Sequence, residues 1–146
     1  MNWPCLPMVL ALLLAGCRSA PTLLTTEAVP HPLSAAQLSA GLHIARTDAQ
    51  WQTLWERIDN ARLPARAAPS IDFELRTLLC VALGERPSGG HGVEIVAVER
   101  DRDHVVVRAR ELHPAPDTLQ IAIVTHPIAI ATIEATELPI ELQFAP

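Results

Sequence analysis

The chain has 146 residues, of which 49% are hydrophobic and 18% charged, and its formal net charge at pH 7 is −5. This length and composition favour one globular domain and exclude a disordered, collagen-like or coiled-coil protein. All eleven basic residues are arginines, and they are scattered among sixteen acidic residues. We therefore expect no nucleic-acid partner, because phosphate binding requires clustered cations.

The first sixteen residues are typical of a lipoprotein signal peptide. Residues 8–15 form an apolar run that is shorter than the ~20 residues of a membrane-spanning helix and suits a removable leader. The run ends in Leu14-Ala15-Gly16-Cys17, which resembles the lipobox of bacterial lipoproteins. The resemblance implies cleavage before Cys17, acylation of Cys17 with chains such as palmitate, and a membrane anchor in the bacterial cell envelope, facing the periplasm or the exterior. The alternative is a plain leader with an accidental cysteine, since the usual basic start is absent.

Residues 17–41 are predicted to be the lipidated cysteine and a tether, followed by a domain at 42–146. Residues 18–41 are rich in Pro, Ser, Thr and Ala and show no sustained period, which is typical of a linker. The alternative is an irregular cap on the domain, with a first strand that begins within 38–44.

An amphipathic helix is predicted at about 48–60. Thr47 is placed to cap its first turn, with Gln50 as the reciprocal partner of a capping box. Apolar side chains then recur at helical spacing, at Trp51, Leu54, Trp55 and Ile58. Such a stripe indicates a helix face packed in the core. The alternative is that the two tryptophans form a ligand platform.

From residue 73 onward the apolar pattern changes to that of strands. Since no helical period separates these strands, the fold class is α+β, a mainly antiparallel sheet or sandwich of about six strands with the helix packed on it. The second and third strands form a hairpin, and Pro139 places the last strand at an edge. The predicted strands are 77–83, 93–99, 104–112, 119–125, 128–133 and 138–144.

Four glycines are concentrated in residues 84–92. This density indicates backbone with positive φ or a close approach. A phosphate-binding loop would have to open a helix, but a strand follows at Val93. Ser88 does not stand in the G-x-S-x-G arrangement of a nucleophile elbow, which also requires a following helix.

The combined motifs resemble the C-terminal domain of the PrcB family of bacterial protease-complex subunits. The residues that carry the resemblance are Trp51-x-x-x-Trp55, Asp72-Phe73, Gly84-x-Arg86-Pro87-Ser88-Gly89-Gly90 and Thr125-x-Pro127. The resemblance implies an exported, often lipid-anchored, non-catalytic subunit without cofactors, which binds and stabilises an envelope protein such as a protease. The family usually has Tyr after the glycine pair, where this chain has His91.

We expect the glycine-rich loop to be the partner-binding element. Arg86 either holds a partner carboxylate in its planar fork or bonds loop carbonyls and a neighbouring acid. The first reading gives an alternative function, a periplasmic domain that binds a small anion or a peptide carboxylate. The predicted loop residues are Arg86, Pro87, Ser88, Gly89, Gly90 and His91.

No metal site or catalytic residue is predicted. The six histidines form no metal-binding pair of the H-x-H or H-E-x-x-H type. Cys80 lies among apolar neighbours, which indicates core packing rather than a reactive thiolate.

Overall fold

The computed structural model of the chain describes residues 20–59 and 64–145. The predicted signal peptide and Cys17 lie outside these residues. Within them, no helix has the length and apolar character needed to cross a membrane. The elements in chain order are β1 (Thr22–Leu23), β2 (Glu27–Ala28), β3 (Gly41–Ala45), α1 (Asp48–Ile58), β4 (Arg76–Ala82), β5 (Gly92–Arg100), β6 (Val105–Leu112), β7 (Ile128–Glu134) and β8 (Ile140–Phe144).

The strands form two four-stranded sheets, in the orders β1-β5-β6-β8 and β2-β7-β4-β3. Every pairing of strands is antiparallel except that of β6 with β8, which is parallel. The α+β class and the mainly antiparallel sandwich are thus confirmed. β8 lies at a sheet edge, as Pro139 predicts.

Strand β4 separates two hydrophobic cores, because its side chains alternate between its two faces. Leu79 and Val81 pack into the space between the sheets, against the buried valines of β5 and β6. Leu78 and Cys80 face the other way and pack with the apolar face of α1. The molecule therefore has three layers, with the β4 sheet in the middle.

Helix α1 begins as its sequence predicts, with one change in the cap. The Thr47 hydroxyl accepts a hydrogen bond from the Gln50 N–H at 3.3 Å. The Gln50 side chain, however, accepts from the N–H of Arg46 at 2.7 Å, one residue before the N-cap, so it is not the reciprocal partner of a capping box.

The two tryptophans of α1 are core residues. Both are buried, with ring centroids 5.2 Å apart in an edge-to-face arrangement. The indole N–H of Trp51 donates to the Pro69 carbonyl and that of Trp55 to the Arg66 carbonyl, each at 2.8 Å. The ligand-platform alternative is wrong, since the rings and their polar atoms are all occupied within the domain.

The two ends of the β5–β6 hairpin differ. At one end Arg100 pairs with Val105 across the reversal, and we call this the charged end. At the other end Gly92 pairs with Leu112, and we call this the loop end. A register shift between Ile95 and Ala97 marks a bulge in β5.

The expectation of a tether does not describe residues 22–41. β1 pairs with β5, and β2 pairs with β7. Val29, Ala35 and Leu38 are buried in the core beside α1. These contacts could not be predicted from the sequence, because two-residue strands and three isolated apolar residues produce no periodic pattern.

The predicted strand at 119–125 is also wrong. Only Thr125 forms a bridge, with Arg86, and the residues before it are irregular. The alternating apolar residues favour a strand, but the neighbours of β7 in the sheet are already β4 and β2. The segment instead joins the glycine-rich loop, where the Ile121 carbonyl accepts a hydrogen bond from the Gly89 N–H.

Candidate functional site

The predicted partner-binding loop is joined to a second loop. Residues 86–91 connect β4 to β5, and residues 113–125 follow β6. Arg86 and Thr125 exchange backbone hydrogen bonds of 2.8 and 3.0 Å, and the Gly89 N–H donates to the Ile121 carbonyl at 3.0 Å. We call residues 86–91 and 113–125 together the two-loop surface.

Gly90 is required where the two loops meet. Its φ is +85°, a region that L side chains rarely adopt. A Cβ atom at this position would lie 2.9 Å from the Cβ of Pro114 and would collide with the side-chain oxygen of Gln120. The glycines are thus concentrated here because two loops approach each other closely, and not because the loop binds phosphate.

The second loop exposes large apolar side chains. Leu119 is 99% exposed and Ile121 is 74% exposed, and more than half of Ile123 and of Val124 is also accessible. Single exposed apolar residues are ordinary, but several in one short segment indicate an interaction site. The sequence pattern predicted a strand at 119–125 and therefore did not identify these side chains as an exposed surface.

Arg86 is engaged within the chain. Its Nε and Nη2 donate to the two oxygens of Glu111 at 2.6 and 2.9 Å, and its Nη1 donates to the carbonyls of Leu83 and Glu85. The side chains of Arg86 and Glu111 are 24% and 23% exposed. The structure therefore supports the second reading of Arg86, in which it bonds loop carbonyls and a neighbouring acid.

This ion pair sets the charge state of Glu111. The Arg86 hydrogen bonds hold the pKa of the Glu111 carboxyl below its usual value, against a smaller opposing effect of burial. An ionised carboxylate therefore lies at the loop end, and its counter-ion comes from the glycine-rich loop. The alternative function, in which Arg86 captures an external anion, loses the residue on which it depends.

Two histidines flank this carboxylate. Nδ1 of His91 lies 3.6 Å and Nδ1 of His113 lies 3.9 Å from Oε1 of Glu111. The His91 side chain is only 14% exposed. The two imidazoles stand edge to face with centroids 5.6 Å apart. His91, Glu111 and His113 are thus a group whose donor atoms fit a metal ion.

The other predicted loop residues are structural or exposed. Ser88 contributes its backbone carbonyl, which accepts from the Thr125 hydroxyl at 3.1 Å. Pro87 is exposed beside it. Away from this surface, Cys80 is fully buried, and burial raises the pKa of its thiol to about 12. The core assignment of Cys80 is confirmed.

Comparison with known families identifies the part of the chain that carries this surface. Residues 77–134, from β4 to β7, match the protein family described as PrcB C-terminal. This segment belongs to the PrcB C-terminal family. The PrcB segment contains both loops and the Arg86–Glu111 pair, whereas α1 with its two tryptophans lies outside it. No curated protein and no solved structure matches the chain.

Proposed function

We propose that the protein is a non-catalytic subunit of the bacterial cell envelope, lipid-anchored at Cys17, which docks and stabilises another envelope protein such as a protease. The PrcB family supports the subunit role. The two-loop surface is the docking site, and the exposed apolar side chains of residues 119–124 are the observation that carries it.

The direction of the anchor supports docking at the loop end. Thr22 pairs with Arg100 at the charged end of the hairpin. Cys17 is five residues from Thr22, a length of chain that reaches at most ~18 Å. The nine residues of β5 extend roughly 30 Å at about 3.3 Å per residue. A lipid on Cys17 thus holds the charged end near the membrane and leaves the two-loop surface turned away from it.

The chemistry of the surface defines its partner. Leu119 and Ile121 each contribute roughly 1.5–3 kcal/mol when a partner removes them from water, before the cost of association. The hydrogen bonds from Arg86 and Gly89 hold the segment in place, so less conformational entropy is lost on binding. We therefore infer a folded protein partner with an apolar pocket.

Site-specific photo-crosslinking in intact cells tests the docking site. A crosslinker at Ile121 is expected to capture one envelope protein, identified by mass spectrometry. The matched position is Leu75, which is 66% exposed and lies next to the start of β4, away from the two-loop surface. Capture at Leu75 but not at Ile121 would reject the proposed surface.

Substitution gives the complementary test. The pair Leu119→Ser and Ile121→Ser is expected to abolish recovery of that protein from gently solubilised membranes. The control pair Leu23→Ser and Leu75→Ser removes two leucines elsewhere that are 70% and 66% exposed, and it is expected to leave recovery unchanged. If both pairs behave alike, the partner binds another surface.

Two further measurements test the anchor. Mass spectrometry of the mature amino terminus is expected to find acylated Cys17 as the first residue. Cys17→Ser is expected to release the protein from membranes. If the Cys17→Ser protein still binds lipid vesicles, and loses that binding with Leu119→Ser, the apolar loop is a membrane contact instead.

A further inference from the structure

The fold brings three metal-binding side chains together at the loop end. His91 precedes β5, Glu111 is near the end of β6, and His113 directly follows β6. One donor atom from each residue lies within 4.8 Å of the other two. The pairing of Gly92 with Leu112 places the three side chains beside one another.

We propose that His91, Glu111 and His113 form a binding site for a divalent transition-metal ion of the zinc type. Two imidazoles and one carboxylate match the ligand set that zinc accepts, with a fourth position left for water or a partner residue. The site goes beyond the docking role and does not depend on it.

The separations of Glu111 from the two histidines are close to those that coordination requires. Ligand bonds of about 2.0–2.2 Å in a tetrahedral site place donor atoms roughly 3.3 Å apart. The Glu111 oxygen is already 3.6 Å from His91 Nδ1 and 3.9 Å from His113 Nδ1. His113 is 69% exposed, so its ring is free to make the small rotation that closes the site.

Nδ1 of His91 needs a partner. The atom is inaccessible to solvent and accepts or donates no hydrogen bond within the described residues. A buried polar atom without a partner is costly, by about 1–3 kcal/mol. A metal ion between Nδ1 and the Glu111 carboxylate satisfies it, whereas the neighbouring ring of His113 presents only an edge-to-face contact.

The Glu111 carboxylate is prepared for this role by Arg86. Each carboxylate oxygen has two lone pairs, so an oxygen that accepts from Arg86 still has one for a metal. Arg86 thus orients the ligand from outside the site, while its positive charge makes the affinity lower than that of a closed four-ligand site.

Calorimetric titration of the purified, detergent-solubilised chain with zinc chloride tests the site. We expect one equivalent to bind. His113→Gln and His91→Gln are each expected to weaken binding at least tenfold, because even the loss of an outer-shell partner costs about 10–100-fold. The matched control is His104→Gln, since His104 also lies beside an acid, 2.8 Å from Asp103, but at the charged end.

Cobalt substitution supplies a readout that a merely structural role would not change. Cobalt is expected to give a visible absorption band in the wild-type and His104→Gln proteins, and His113→Gln is expected to abolish it. His113 is exposed, so this variant tests the site without disturbing the core. No zinc binding by the wild-type protein, or equal affinity in His113→Gln, would overturn the proposal and leave the cluster as an ordinary Glu–His contact.

Discussion

The two ends of the β5–β6 hairpin are finished in different ways. At the charged end the chain reverses within a few residues, and the Asp101 N–H donates to the His104 carbonyl at 2.9 Å. Arg100 forms an ion pair with Glu134 of the other sheet. At the loop end, by contrast, the strands lead into two longer loops that hydrogen-bond to each other and expose apolar side chains.

The difference is between an end that carries solvated charges and an end that exposes apolar side chains. Charges that remain in water cost little and keep the short reversal solvated. The ion pair at the loop end, Arg86–Glu111, is instead largely buried. We therefore expect substitutions at the loop end to lower the free energy of unfolding more than substitutions at the charged end.

The largest effect is expected where the two loops meet. Gly90→Ala should lower the free energy of unfolding by about 2–4 kcal/mol, because it adds positive-φ strain to contacts with Pro114 and Gln120. Gly89→Ala, its neighbour, meets only ordinary contacts and should stay within about 0.5 kcal/mol. Denaturant unfolding of both variants checks this. Equal effects would show that the loop is not held as described.

A smaller effect is expected at the ion pairs. Glu111→Gln should cost about 1–2 kcal/mol, since it weakens a half-buried bidentate pair. Glu99→Gln removes a similar bidentate pair with Arg108, whose side chain is 43% exposed, and should cost well under 1 kcal/mol. The comparison fails if Glu99→Gln proves the more costly substitution.

The ends should also respond to pH in opposite directions. Arg86 lowers the pKa of Glu111, so this pair stabilises the fold above the ordinary value of 4.5 and loses that contribution as pH falls through the folded value. The hydrogen bond that His104 donates to the Asp103 carboxylate raises the pKa of His104, so that contact stabilises the fold below the ordinary value of 6.5 and is lost as pH rises through the folded value.

Stability measured against pH separates the two contributions. Glu111→Gln should flatten the acid side of the profile, and His104→Gln should flatten the region just above pH 6.5. The second change should be small, because both partners are in water. A steeper acid side in Glu111→Gln would contradict the assigned pKa direction.

The smallest effect on stability is expected at the exposed apolar residues. Leu119→Ser at the loop end and Leu23→Ser next to the charged end should each change the free energy of unfolding by less than about 0.5 kcal/mol. Both side chains are largely exposed in the folded protein. Thermal unfolding checks this, and a marked loss in Leu119→Ser would mean that the loop supports the fold rather than a partner.

Two apolar patterns were interpreted correctly from the sequence. The Trp51 and Trp55 stripe gave a core helix, and the apolar run around Cys80 gave a strand buried on both faces. The same reasoning failed at 119–125, where the alternating apolar residues lie in an irregular segment that is bonded to the glycine-rich loop. It also missed the packing of residues 22–41, because a strand of two residues has no period.

The candidate site was only half predictable. The glycine-rich loop at 86–91 was singled out by composition, because positive φ and close approach restrict a position to glycine. The partner of Arg86 was not identified, because Glu111 is 25 residues away in sequence. The proximity of His91 and His113 was not predicted for the same reason, since the sequence motifs of metal sites have ligands at short, fixed spacing.

The sequence by itself determined the α1 helix, the β5–β6 hairpin, the α+β class and the position of the glycine-rich loop. Each of these depends on the spacing and chemistry of side chains that are close together in sequence. The tertiary structure alone decided that Arg86 binds Glu111, that residues 119–124 stay outside the sheet, and that His91, Glu111 and His113 meet. These arrangements depend on contacts between loops and on the hairpin register that brings distant residues together, and no short stretch of sequence determines either of them.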